Sequence, residues 1–501
     1  MLHQSKGDNF MTQNHSEQVN QATKYIKQQE NKVGNTKYRL NYHMMPPVGW
    51  MNDPNGLVQY KGDYHLFYQH YPYEPVWGPM HWGHAISKDL VNWEHLPVAL
   101  APSEFYDNGT LDDHGCFSGS AIEKDNELYL IYTGHSIERD PMQVQCIAKS
   151  ADGIHFTKES QNPIIDHFPK DGSKDFRDPK VWQYDNQYYM VVGSKKDGKG
   201  KALFYQSSNL IDWTYKGVVA ESNGEQGDMW ECPDLFPLEK EHALILSPMY
   251  GEKNEKPIII FGEMDYKAAK FSQERSMLLD YGHDFYAPQT LKDEKGRRIM
   301  MGWMDMWFSK RPSEEDGWVG AMTIPRELTY NHNGVFIQQP IEELKALRTD
   351  HHHIEDFEIH GVNRFSKFDG IATELCMDFD IINSDSPVFG LHLRCSIDRS
   401  EKTIIKIDTI NEEVIVDLTL AGKGESGVYK APYNIEANGK LNLRVFLDKT
   451  SIEVFVNHGE QVITNRIYPD ASSKEVDLFA EKGKARIVKA DKWSLRSVWK
   501  E

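Results

Sequence analysis

Along the first 330 residues, apolar positions alternate with polar ones in short runs, and clusters of Gly, Asp, Asn and Lys separate the runs. A period of two with such punctuation predicts β-hairpins rather than helices. Five segments repeat one order of parts: a motif, a short apolar strand, a polar turn, then a strand of aromatic and β-branched residues. They are Asn52–Gln69, Phe117–Gly134, Arg177–Ser194, Glu231–Met249 and Ala287–Met304. A second piece recurs beside them as SKDLVNW from Ser87, SADGIHF from Ser150 and SSNLIDW from Ser207. Five units near 60 residues, each a few antiparallel strands, predict an all-β, five-bladed β-propeller. An ordinary β-sandwich with coincidental turns is the competing reading.

Propeller geometry turns the repeat into a statement about chemistry. The innermost strand of each blade lines the central channel, so residues at equivalent strand starts converge at one mouth. The repeat places Asp53, Asp178 and Glu231 at nearly equivalent positions in blades one, three and four.

The rest of the chain divides around this unit. Residues 1–37 form a polar N-terminal segment in which Glu17 to Lys32 predicts a polar helix, and 38–340 form the propeller. Residues 341–354 are expected to be a linker: a helical IEELKALR followed by Thr349, Asp350 and three histidines. Residues 355–501 hold period-two strands such as ELCMDFDI, VFGLHLRCS and SIEVFVN, which predict a C-terminal antiparallel β-sandwich.

Composition narrows the function. With 56 Lys and Arg against 75 Asp and Glu, the net charge is −19, which argues against nucleic acid or an anionic membrane as partner. The five cysteines are spread without metal-like pairing, and the N-terminus lacks an apolar signal-peptide core. Both features predict a cytoplasmic protein. Aromatic residues make up 12% of the chain, which suits stacking on sugar rings. A small-molecule sugar is therefore the expected partner, with monomer and homodimer both open.

Two carboxyls flanking a bond are the minimal equipment for glycoside hydrolysis. Asp53 lies in WMNDPNG, a turn rich in amides and backbone donors that favour an ionised nucleophile. Glu231, between Trp230 and Cys232, is expected to meet an apolar wall that raises its pKa and makes it a proton donor. Asp178 follows Arg177, whose charge is expected to keep it ionised, fit to hold sugar hydroxyls and stabilise positive charge on the ring.

The ordered motifs WMNDPNG, FYQHYP, WGPMHWGHA, FSGS, FRDP, ECPD and DFYAPQT resemble those of glycoside hydrolase family 32, the invertase, sucrose-6-phosphate hydrolase and fructanase group. The match runs from about residue 38 to the C-terminus. The resemblance implies a five-bladed propeller followed by a β-sandwich, Asp53 as nucleophile, Glu231 as acid/base and Asp178 as transition-state stabiliser. It places Trp50, Met51, Asn52, Gln69, Trp77, Phe117, Ser118, Arg177 and Trp303 around the fructose. It also implies retention of configuration, and within the family the chain looks most like the cytoplasmic sucrose-6-phosphate hydrolases. An invertase or fructanase preferring unphosphorylated substrates is the alternative. Two more distant readings are a non-catalytic sugar-binding propeller and a related family that cleaves arabinose polymers.

Remaining features are read plainly. A phosphorylated substrate needs a local basic cluster, for which Arg139, Lys310 and Arg311 are candidates, each expected to be a surface charge. Three consecutive histidines, His351 to His353, cannot all address one ion, so no metal is expected there. Cys116 and Cys232 are expected to be packing residues, and acetal hydrolysis by carboxylates requires no cofactor.

Overall fold

Each repeated segment folds as the first two strands of its own antiparallel sheet in the computed structural model, which describes residues 14–435 and 438–499. Residues 1–13, the start of the expected polar segment, lie outside the described residues. The first strands of the five sheets are Gly49–Tyr60, His114–Lys124, Phe176–Tyr184, Met229–Leu238 and Tyr286–Lys292. They stand side by side in sequence order, and the fifth returns to the first, which makes a five-bladed propeller. The ring is closed by backbone as well as by packing. Trp318–Val319, from the last blade's segment, pairs in parallel with Gly49 and Trp50 of the first blade.

Apolar clusters fill the spaces between blades. Phe67, Trp82, Leu130 and Tyr132 join blades one and two, and Val191, Phe204, Trp230 and Leu244 join three and four. The recurring Ser-x-Asp/Asn-x-x-x-aromatic piece is a side-chain-capped turn. Asp89 accepts from the backbone of Val91 and Asn92, and Asn209 does the same for Ile211 and Asp212. Its fourth residue is left-handed in all three copies, Leu90, Gly153 and Leu210, and the following Trp93 and Trp213 donate back to the Leu carbonyls. Short polar side chains that bond their own backbone make such turns local property of the sequence.

The predicted N-terminal helix runs His15–Gly34, capped by Asn14, and rests on the first blade through Tyr25, whose hydroxyl donates to the Tyr73 carbonyl at 3.0 Å. No helix among the described residues is long and apolar enough to cross a membrane.

The second unit is a β-sandwich whose core includes Phe379, Leu391, Ile405, Val454 and Ile487. Its central strand, Glu475–Leu495, is the last in the chain and pairs with three others. One of these corrects the expected linker over 341–354. Only Glu342–Leu347 is helical, as a 3-10 turn, and Arg348–Arg364 is a 17-residue strand. This strand covers one sheet edge and leaves most of its side chains in water, so it lacks the apolar alternation that marks a strand.

A buried ionic network fastens the sandwich to the propeller. Arg326 of blade five donates to Asp280 at 3.0 Å and across the domain boundary to Glu453 at 2.8 Å and Thr464 at 2.6 Å. His43 adds Nδ1 to Asp448 at 2.8 Å and Nε2 to Glu453 at 3.0 Å. Removing one partner of such a pair strands the other charge in a dry interior. Replacing Arg326 by Leu is therefore expected to lower unfolding stability by about 3–5 kcal/mol, read from the denaturant midpoint. A loss well under 1 kcal/mol would mean that water already reaches Asp280 and Glu453.

Candidate active site

All five inner strands are interrupted at the same place. Pairing with the second strand of the blade shifts register between Met51 and Pro54, at Ser118, opposite Val191/Gly193, between Glu231 and Asp234, and between Tyr286 and Gln289. The break coincides with Pro54, Gly119, Pro179, Pro233 and Pro288. Proline supplies no ladder donor and is tolerated in a sheet at a bulge. The residue before it is left-handed in three blades, at Asp178, Cys232 and Ala287. A bulge bends the strand and re-aims side chains, here toward the axis.

Aligned on these breaks, the inner strands supply two rings. One consists of Asp53, Ser118, Asp178, Cys232 and Ala287, and the other of Asn52, Phe117, Arg177, Glu231 and Tyr286. The expected equivalence of Asp53, Asp178 and Glu231 is thus off by one residue in blade four. Cys232 holds the position of the two aspartates, and Glu231 stands in the ring of Arg177.

The rings meet in one pit. Ser118 Oγ donates to Asp53 Oδ2 at 2.6 Å, and Asn52 Nδ2 donates to Oδ1 at 2.9 Å. Trp50 Nε1 in turn donates to the side-chain oxygen Oδ1 of Asn52 at 2.7 Å. The Cys232 thiol lies 3.6 Å from both Asp53 Oδ2 and Asp178 Oδ2, and its backbone N–H donates to Asp178 at 2.9 Å. Arg177 reaches Glu231 Oε1 through Nε at 3.0 Å and Nη2 at 2.9 Å. Tyr286 donates to Glu231 Oε2 at 2.6 Å, and Asn254 donates to both groups.

These contacts revise the expected electrostatics. Burial pushes Asp53 above the usual carboxylate range; Ser118, Asn52 and Cys232 oppose this, and the Glu231 charge adds to it. Of the amides and backbone donors expected from the turn, the Asn52 amide is the one that bonds Asp53, and the Ser118 hydroxyl comes from another blade. Burial also raises Asp178, against the pull of Arg177 and with the charges of Glu231 and Asp53 adding to it. The pull of Arg177 is thus outweighed by burial at Asp178, and the guanidinium itself bonds Glu231. Nor does Glu231 face an apolar wall. Trp230 is packed between blades with its Nε1 on the Gln226 carbonyl, and Cys232 faces the aspartates. Trp230, one residue before Glu231 on the strand, thus points away from the pit.

The remaining expected pocket residues separate into lining and support. Trp77 and Phe117 are half-buried and meet edge to face, with Phe117 stacked on His135 at 4.1 Å. Trp50 packs beside Trp307, with ring centroids 6.0 Å apart. Trp303 is fully buried beneath both, and Gln69 is buried with its amide on the Cys116 carbonyl. Met51 points away, into a core with Met301, Met322 and Ile324. Arg311 is not the expected surface charge. It pairs with Asp305 at 2.9 Å and lies 4.9 Å over the Trp50 ring.

Sequence reasoning missed Tyr286, Asn254, Trp307 and the place of Cys232. Tyr286 was accessible, since it precedes Pro288 as Glu231 precedes Pro233. Asn254 sits in a two-residue strand outside the repeat and had no such signal.

A funnel at the axis of a propeller, with two acid groups held by opposed sets of donors, is the equipment of a glycoside hydrolase. The N-terminal domain of glycosyl hydrolases family 32 matches residues 43–340, and the family's C-terminal domain matches 343–494. The chain belongs to glycosyl hydrolases family 32. It is 39% identical over 482 residues to a sucrose-6-phosphate hydrolase of Zymomonas mobilis, covering 91% of this chain and 92% of that one. It is 38% identical to a raffinose invertase of Escherichia coli, covering 92% and 96%. Its fold superposes on a β-fructofuranosidase of Bombyx mori with a TM-score of 0.83 at 34% identity, covering 97% and 100%.

The position of Cys232 has a chemical consequence. Burial, then the charges of Asp178, Asp53 and Glu231, push its thiol far above the usual range, and only a thiolate alkylates readily. Iodoacetamide is therefore expected to leave Cys232 unmodified in the native protein at neutral pH and to label it after unfolding, as read by peptide mass spectrometry.

Proposed function

We propose that the chain is a retaining β-fructofuranosidase that hydrolyses sucrose 6-phosphate, and also sucrose, to fructose and glucose 6-phosphate or glucose. The observation that carries this reading is the convergence of Asp53, Asp178 and Glu231 on one pit, with Asp53 fixed by Ser118 and Asn52, and Glu231 fixed by Arg177 and Tyr286. Asp53 attacks the anomeric carbon of the fructosyl unit while Glu231 gives its proton to the departing glycosidic oxygen. Glu231, now a carboxylate, takes a proton from water, which displaces Asp53 and releases fructose with configuration retained. Burial raises both Asp53 and Asp178, and the Glu231 charge adds to the rise in each. The aromatic wall of Trp77, Phe117, Trp50 and Trp307 supplies flat faces for the sugars. We also assign the protein to the cytoplasm, a reading supported by five unpaired thiols.

One observation favours a second reading, a preference for plain sucrose or short fructans. Of the three basic candidates for a phosphate, Arg311 is already committed to Asp305 and the Met306 carbonyl, and Arg139 lies over Phe105 at 5.2 Å.

Three measurements test these readings. Asp53→Asn and Glu231→Gln should each lower kcat by about 10²–10⁴-fold or more with the fold intact, and full activity in either variant sinks the mechanism. Ser118→Ala removes a bond that stabilises the Asp53 carboxylate, so its pKa rises and the acidic limb of the kcat/KM profile should move to higher pH. A kcat/KM ratio above tenfold for sucrose 6-phosphate over sucrose, about 1.4 kcal/mol, would decide for the phosphorylated substrate. If Ala at Arg139, Lys310 and Arg311 together leaves that ratio unchanged, the phosphate is held elsewhere.

A further inference from the structure

The three consecutive histidines lie on the edge strand Arg348–Arg364, and a strand sends alternate side chains to the same face. His351 and His353 therefore share a face, while His352, paired with Lys492, occupies the other. The shared face abuts the last strand at Asp491, which pairs directly with His353. His351 Nε2 lies 2.8 Å and His353 Nδ1 2.7 Å from the same oxygen, Asp491 Oδ1. One ligand atom from each of the three residues falls within 4.8 Å of the others.

The surroundings orient these groups. The His351 ring stacks on Trp493 with centroids 4.7 Å apart and planes 3° from parallel, and the Arg348 guanidinium covers the other side of the Trp493 ring at 3.8 Å. His353 Nε2 contacts Glu355 Oε1 at 2.9 Å. A carboxylate on the far nitrogen of an imidazole fixes its tautomer and strengthens the near nitrogen as a metal ligand. Asp491 is the least exposed of the three side chains, at 16%, and it anchors the group.

We propose that His351, His353 and Asp491 form a site for one divalent transition-metal ion on the β-sandwich, remote in sequence from the sugar pit and unconnected with its chemistry. Two imidazoles and one carboxylate suit zinc, copper or nickel better than magnesium or calcium, which prefer oxygen throughout. Zinc bonds to such ligands are about 2.0–2.2 Å, which separates ligands in a tetrahedron by roughly 3.3 Å. The two hydrogen bonds must therefore open by about half an ångström, and the exposed histidine rings have room to do so. Water completes the coordination. The ion would tie the strand by which the chain enters the sandwich to the strand that ends it.

The test uses the full-length protein without a histidine tag, stripped with EDTA and titrated with zinc chloride by calorimetry. One ion per chain should bind, and magnesium chloride should give no saturable heat. The His351→Ala/His353→Ala double variant should lose affinity by about tenfold or more, Asp491→Asn should weaken it, and His352→Ala should bind as wild type. Zinc should raise the melting temperature of wild type but not of the double variant, whose metal-free melt and sucrose hydrolysis report its fold. With copper, the electron paramagnetic resonance spectrum should show two coordinated nitrogens in wild type and one in each single histidine variant. Equal zinc affinity in wild type and double variant, no saturable binding to wild type, or an unchanged copper spectrum in the double variant would each overturn the site.

Discussion

A regular strand sends successive side chains to opposite faces, so a regular inner strand would deliver its functional residues alternately to the channel and to the blade interior. The site exists because every inner strand departs from regularity at the same step. Pro54, Pro179, Pro233 and Pro288 enforce the break in blades one, three, four and five, and Gly119 in blade two. At that step the chain presents consecutive residues, Asp53 with Asn52, Asp178 with Arg177, Cys232 with Glu231, to one pit. Left-handed backbone at Asp178, Cys232 and Ala287 is strain held by the surrounding sheet, as expected of backbone that positions function.

Concentrating acids in that pit is electrostatically unfavourable, and the structure manages the cost by distributing donors unevenly. Asp53 receives a hydroxyl, an amide and a thiol contact, Glu231 a guanidinium, a phenol and an amide, and Asp178 one backbone N–H and the same thiol. The three acids thus differ in environment although they share one cavity, and such differences let similar groups take different roles. Arg326, His43, Glu453 and Asp448 use the same device at the domain boundary, where each buried charge meets an opposite one.

Five hairpins, their order and the period of about 60 residues were legible because turn residues and strand alternation act locally. The capped turns at Ser87, Ser150 and Ser207 are the clearest case, since their hydrogen bonds join residues two or three apart. Legibility failed where a side chain's neighbour is distant. Arg177 was paired on paper with adjacent Asp178, yet its guanidinium bonds Glu231, 54 residues away. Arg311 read as a surface charge because nothing near it in sequence announces Trp50. The strand over Arg348–Arg364 read as a linker because an edge strand with few buried residues carries no apolar period, and with it the shared face of His351 and His353 was hidden.

The sequence alone therefore determined the repeat, the all-β class and which three acids lie at the starts of the inner strands, because these rest on local propensity and on motifs carried within single strands. Tertiary structure decided which residues share a ring, which partner each charge meets and which aromatics stay half-buried beside the pit rather than in the core. Those outcomes depend on the closure of the ring and on the bulge that turns each inner strand, and both bring together residues that have no contact until the whole propeller has formed.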